Sequence, residues 1–194
     1  MYSKIAELIK DDSFSEDEKY KRWEELKKEE TRVKTHGAEA IDLNHPLYDV
    51  YIAIREECNG GKIGAGTLPT LVYLYFMPPD LEQSHRDAVG IYGYGTIMIR
   101  KSFYDTHGVD DDVINNMFHE MVHAYCDMKI PERKIHDTDG EFHRKEFADV
   151  CEHFGGVCRY VNAEDGYCDV RLPDDAISRI KQRIKRIQER RHKE

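Results

Sequence analysis

A chain of 194 residues is long enough for one domain with a continuous core, without disulfide or metal staples. Its 40% hydrophobic content excludes bulk disorder, and its 35% charged content gives a heavily charged surface. A net charge of -9 offers no global attraction to nucleic acid, so any basic surface must be local.

Residues 1–36 alternate acidic and basic side chains, and Ser15 with Glu18 forms a capping-box signature for a helix running to about Lys34. Nothing there resembles a basic segment followed by an apolar run. No apolar run anywhere approaches the roughly 18 to 20 residues that span a bilayer. No membrane is expected, and the chain is placed inside a cell. The five cysteines, Cys58, Cys126, Cys151, Cys158 and Cys168, form no CxxC pair and read as reduced thiols.

Asn44 and Pro46 open a helix on which Leu47, Val50, Tyr51 and Ile54 recur with helical period until Gly60 and Gly61. Thr70 to Phe76 is rich in β-formers, and so is Thr96 to Arg100. The polar stretch between these runs is too long for a tight hairpin, and the GIYGYG segment before Thr96 reads as flexible. Asp110, Asp111 and Asp112 supply a cap and negative charge for the next helix, which carries Val113, Ile114, Met117, Phe118, Met121, Val122 and Tyr125. Thr138 to Glu141 is a second capping box, expected to open a helix that ends near Gly155 and Gly156. Val157 to Val161 and Tyr167 to Leu172 read as a β-hairpin. From about Asp174, Ile177, Ile180, Ile184 and Ile187 form one stripe of a helix whose other faces are rich in Lys and Arg.

The best-defined helix contains His119-Glu120-Met121-Val122-His123. Histidines four residues apart project from one face, so both imidazoles can reach one metal ion. Glu120 sits about a third of a turn away, where it can act as general base on a water polarised by zinc. A catalytic zinc usually takes three protein ligands and keeps one position open. His136, Glu141 and His143 are the candidates for the third. His143 shares a face with Phe147, Val150, Cys151 and Phe154 and therefore points inward, Glu141 is engaged by its cap, and His136 as a loop ligand stays open. Glu146 lies nearly opposite His143 and reads as solvated. The metzincin pattern fails, because Cys126 and Lys129 stand where it needs Gly and His. Tyr125, Tyr160 and Tyr167 are nominal donors to a developing oxyanion.

The order strand, HExxH helix, polar loop and then His143-Arg-Lys-Glu-Phe147 resembles the SprT-like family of zinc metallopeptidases, over about residues 46–172. The nearest likeness is to the short members encoded by bacteriophages. The resemblance implies zinc held by His119, His123 and His143, with Glu120 as catalytic acid and base, a protein substrate, and the cytoplasm (the host's, for a phage protein) as the compartment. Arg144 stands where family members often have glycine, and the four-cysteine zinc ribbon of many members has no counterpart in this sequence.

The expected fold is thus a single α+β domain, with the HExxH helix and a second ligand-bearing helix packed on a small antiparallel sheet. Residues 1–45 form a charged helical extension, 46–172 the metallopeptidase domain and 173–194 a basic amphipathic helix. That last helix is the one feature through which DNA could be contacted, since phosphates need only clustered Lys and Arg. The rival reading is a DNA-associated or regulatory binding module whose zinc site is structural or idle.

Overall fold

The computed structural model describes residues 37–60, 67–69, 72–93, 95–129, 143–163 and 166–191. The helix expected up to Lys34, His136 and the Thr138 to Glu141 cap lie outside the described residues. Among the described residues the chain forms one α+β domain of six helices, a four-stranded sheet and a two-stranded hairpin. In chain order these are β1 (Glu39–Ala40), α1 (Pro46–Cys58), β2 (Tyr73–Phe76), α2 (Pro79–Ser84), β3 (Gly90–Gly93) and β4 (Thr96–Ile99). Then follow α3 (Lys101–His107), α4 (Asp111–Lys129), α5 (Lys145–His153), β5 (Val157–Arg159), β6 (Asp169–Arg171) and α6 (Asp174–Arg191). No described helix is long and apolar enough to cross a membrane.

Helix α1 starts at Pro46, whose missing N–H is no loss in a first turn. Its cap is His45, whose Nδ1 accepts the Leu47 N–H at 3.2 Å. Asn44, expected as the cap, instead donates its backbone N–H to Asp42 at 2.8 Å. The helix buries Leu47, Val50 and Ile54 completely.

The sheet order is β1-β2-β4-β3. Strands β2 and β4 run parallel, with Leu74 opposite Ile97, whereas β3 and β4 run antiparallel, with Ile91 opposite Met98. The sheet is therefore mixed, which corrects the expected antiparallel one. The physical reason is the connection from Phe76 to Thr96: it carries α2 and then β3, and so returns the chain to the end from which β2 began. Strand β3 is itself a correction, because it is made by the glycine-rich segment that reads as flexible. Arg100 holds this connection in place, donating to the carbonyls of His85 at 2.6 Å and Ala88 at 3.0 Å. Strand β1 pairs with β2, so residues of the 1–45 segment also belong to the sheet.

Helix α4 is the central element, packing against α1, α5, β3, β4 and β6. Asp110 caps it as expected, its Oδ1 accepting the Val113 N–H at 3.0 Å. Ile114, Met117, Phe118, Met121 and Val122 are all 0% exposed, so the apolar period read from the sequence is the buried face. Helix α5 begins at Lys145 after Arg144 in an extended conformation, so His143 precedes the helix and does not occupy its first turn. His143 instead forms a parallel bridge with Gly166, its carbonyl accepting the Tyr167 N–H at 2.9 Å. That pairing draws His143 into extended backbone and delays the helix. Past α5 the chain lies flush on α4, because a Cβ on Gly156 would sit 2.5 Å from Phe118 Cε1.

The β5–β6 hairpin pairs Cys158 with Val170, as the sequence suggests. Helix α6 packs its Ile177, Ile180 and Ile184 stripe against α1 and so closes the core.

Candidate metal centre

Three imidazoles converge between α4 and the entry to α5. His123 Nε2 lies 2.9 Å from His119 Nε2 and 2.9 Å from His143 Nε2, and the three rings are 4.8 to 5.0 Å apart between centroids. The i, i+4 spacing of His119 and His123 on α4 accounts for the first pair. The bridge between His143 and Gly166 brings in the third ring from the other side. His143 is thus close to both, whereas Glu146 is exposed.

The donor chemistry of this cluster fits a metal ion. A neutral imidazole Nε2 is either a donor or an acceptor, so His123 cannot satisfy both neighbours through one atom, and protonating all three would set three like charges together. One cation taking all three lone pairs resolves the conflict. Zinc–nitrogen bonds of about 2.0–2.1 Å in a tetrahedron place neighbouring nitrogens about 3.3 Å apart, so the rings need open by only a few tenths of an ångström.

Phe147 forms the floor of the cluster. It is fully buried, with its ring centroid 5.1 Å from His119, 4.6 Å from His123 and 4.6 Å from His143. The sequence shows Phe147 on the face shared with His143; its contact with all three imidazoles depends on the α4–α5 packing.

Glu120 is 3% exposed beside this cluster. Burial pushes its carboxyl up to about 8, and a hydrogen bond from the Tyr92 backbone N–H pulls in the opposite direction. A cation held by the three histidines would favour the ionised form. Tyr92 belongs to β3, and its hydroxyl donates to Asp127 of α4 at 2.9 Å while accepting the Gly95 N–H at 2.9 Å. Strand and helix are thereby clasped on either side of Glu120. None of this was readable while the Gly90 to Gly95 segment stood as a flexible loop.

Gly90 makes the close approach of β3 to α4 sterically possible. A Cβ there would lie 2.4 Å from Asn116 Oδ1 and 3.0 Å from Glu120 Cγ. Gly90→Ala is therefore expected to push Asn116 and Glu120 aside and lower kcat/KM about 10- to 100-fold, a usual cost of misplacing a reacting group by up to an ångström. Steady-state kinetics at matched metal content checks this, and unaltered kinetics would show that the strand yields instead.

The tyrosines named as oxyanion donors are otherwise engaged. Tyr125 packs its ring on Phe154 at 4.9 Å, and Tyr160, 53% exposed, packs on Tyr167 at 5.4 Å. A second group with metal-binding geometry, His107, Asp110 and Asp112, was not singled out from the sequence. Its Asp110 is committed to capping α4 through Oδ1 and meets His107 Nδ1 through Oδ2 at 2.8 Å.

The cations of α6 are largely engaged with acids of the same domain. Arg179 and Arg183 pair with Glu57, Arg183 also with Glu56, and Lys181 with Asp111. Arg191 Nη2 lies 2.7 Å from the buried Asp49 Oδ1, an ion pair by distance though not aligned as a hydrogen bond. Lys185, Arg186 and Arg190 are exposed.

Comparison with protein-family models, with curated proteins and with solved structures found no match.

Proposed function

We propose that the chain is a zinc-dependent metallopeptidase of SprT-like type, with His119, His123 and His143 as the metal ligands and Glu120 as general base. The observation that carries this reading is the convergence of three imidazole Nε2 atoms beside a buried carboxylate that coordinates nothing itself. A purely structural zinc site has no need of such a carboxylate and usually closes its fourth position with a protein ligand.

Zinc bound here would act as a Lewis acid on a peptide carbonyl and lower the pKa of water. Glu120 takes the proton of the attacking water and passes it to the leaving amine nitrogen, so one carboxyl serves as base and then acid. Burial keeps that proton from bulk solvent, and the clasp of Tyr92 on Asp127 fixes the strand whose N–H orients the carboxylate. Phe147 holds the three rings at their mutual angles, which limits rearrangement as the charge at the site changes.

The test is metal dependence. Purified protein is expected to hold close to one zinc per chain and to cleave an unfolded protein such as casein. A chelator should abolish cleavage, and added zinc should restore it. Metal-loaded protein that cleaves nothing, or chelator-treated metal-free protein that cleaves at the same rate, rules the reading out.

A further inference from the structure

The surface beside His119 sinks into a cavity of about 270 Å³, the size for one side chain and too small for most cofactors. One wall is the face of α4 that carries Asp112, Asn115, Asn116 and His119, positions that align on a helix by their spacing of three and four. The opposite wall is β6 with Asp169 and Arg171, and the apolar groups of Val89, Phe103 and Val170 complete the lining. Because His119 belongs both to this wall and to the three-histidine cluster, the cavity opens directly onto the candidate metal centre. A peptide bond placed at that centre sends a neighbouring side chain into the cavity.

The lining describes its occupant. Asn116 Oδ1 is buried with no hydrogen-bond partner, so it is an acceptor in want of a donor. Two carboxylates, Asp112 and Asp169, face one guanidinium, and that guanidinium is already bound, with Arg171 Nε on Asp169 Oδ1 at 2.9 Å. Asp112 has only His107 near it, at 3.8 Å. An acidic occupant would meet this excess negative charge, and an apolar one would leave Asn116 unanswered. A long cationic side chain meets both conditions: it carries donors and no acceptor, and its methylenes suit Val89, Phe103 and Val170.

Resting on the metallopeptidase reading, we propose that this cavity receives the substrate side chain next to the scissile bond and selects lysine or arginine there, with Asn116 and Asp112 as the specificity-determining residues. The experiment is cleavage of a mixed peptide library by the zinc-loaded full-length chain, with cut sites read by mass spectrometry. Cuts adjoining Lys or Arg are expected to exceed those adjoining Leu or Glu at least tenfold. Asn116→Leu is expected to move the preference toward Leu. Asp112→Asn, at a side chain 71% exposed and so without risk to the core, is expected to reduce the Lys and Arg preference severalfold at unaltered zinc content. Cleavage with no preference, or a preference that Asp112→Asn leaves intact, overturns the inference while sparing the metallopeptidase reading. Failure of the zinc-loaded wild type to cleave any peptide, or casein, overturns that reading and the inference with it.

Discussion

Glu120→Gln protein is expected to bind zinc at the wild-type stoichiometry and to lose peptide hydrolysis by about 10²- to 10⁴-fold, the usual share of a general base. Glutamine keeps the size of the side chain, and its carbonyl oxygen can still accept from the Tyr92 N–H, so the close fit among Gly90, Asn116 and residue 120 is preserved. What is lost is the ability to take a proton. A carboxyl pushed up to about 8 by burial is also relieved of its desolvation cost by an uncharged amide, so the variant is expected to be no less stable without metal. Elemental analysis and initial rates of casein cleavage, made on the same preparation, separate the two properties. Retention of both zinc and full proteolysis would remove Glu120 from the mechanism.

His143→Ala is expected to weaken zinc binding at least about 100-fold, since loss of a ligand costs more than the 10- to 100-fold seen for outer-shell partners. Activity should fall with occupancy. The backbone carbonyl of residue 143, which accepts from Tyr167, survives the substitution, so the metal-free variant should unfold near the wild-type midpoint. Competition titration against a chromophoric chelator measures the affinity, and thermal unfolding in excess chelator measures the fold. His136→Ala serves as the counterpart and is expected to leave zinc affinity unchanged; the reverse pattern would transfer the third position to His136.

The candidate site was legible in the sequence to the extent that it is local. The HExxH spacing needs only the pitch of a helix, and the helix declares itself by its Asp110 cap and by apolar residues from Val113 to Tyr125. The inward direction of His143 followed from Phe147 and Val150, which are indeed buried. Its backbone did not, because the pairing with Gly166 joins residues distant in the chain. Strand β3 was missed for a similar reason: a run of Gly-Ile-Tyr-Gly lacks the alternation of a half-buried strand, and it is ordered by β4, by the anchoring of the preceding turn through Arg100, and by the Tyr92–Asp127 clasp. The parallel alignment of β2 and β4 depends on the path of the connection, which composition does not encode. For α6 the stripe was correct, but its cations could be seen as pairs only once α1 had brought Glu56 and Glu57 alongside.

The packing of α6 bears on how a role at nucleic acid can be examined. A chain cut before Ile177 would strip the cover from α1 and strand the Asp49 carboxylate inside the protein without Arg191. Such a truncation reports collapse of the domain, whatever it binds. Charge reversal at Lys185, Arg186 and Arg190, which stand in solvent, leaves the domain whole, and the question belongs to those three positions.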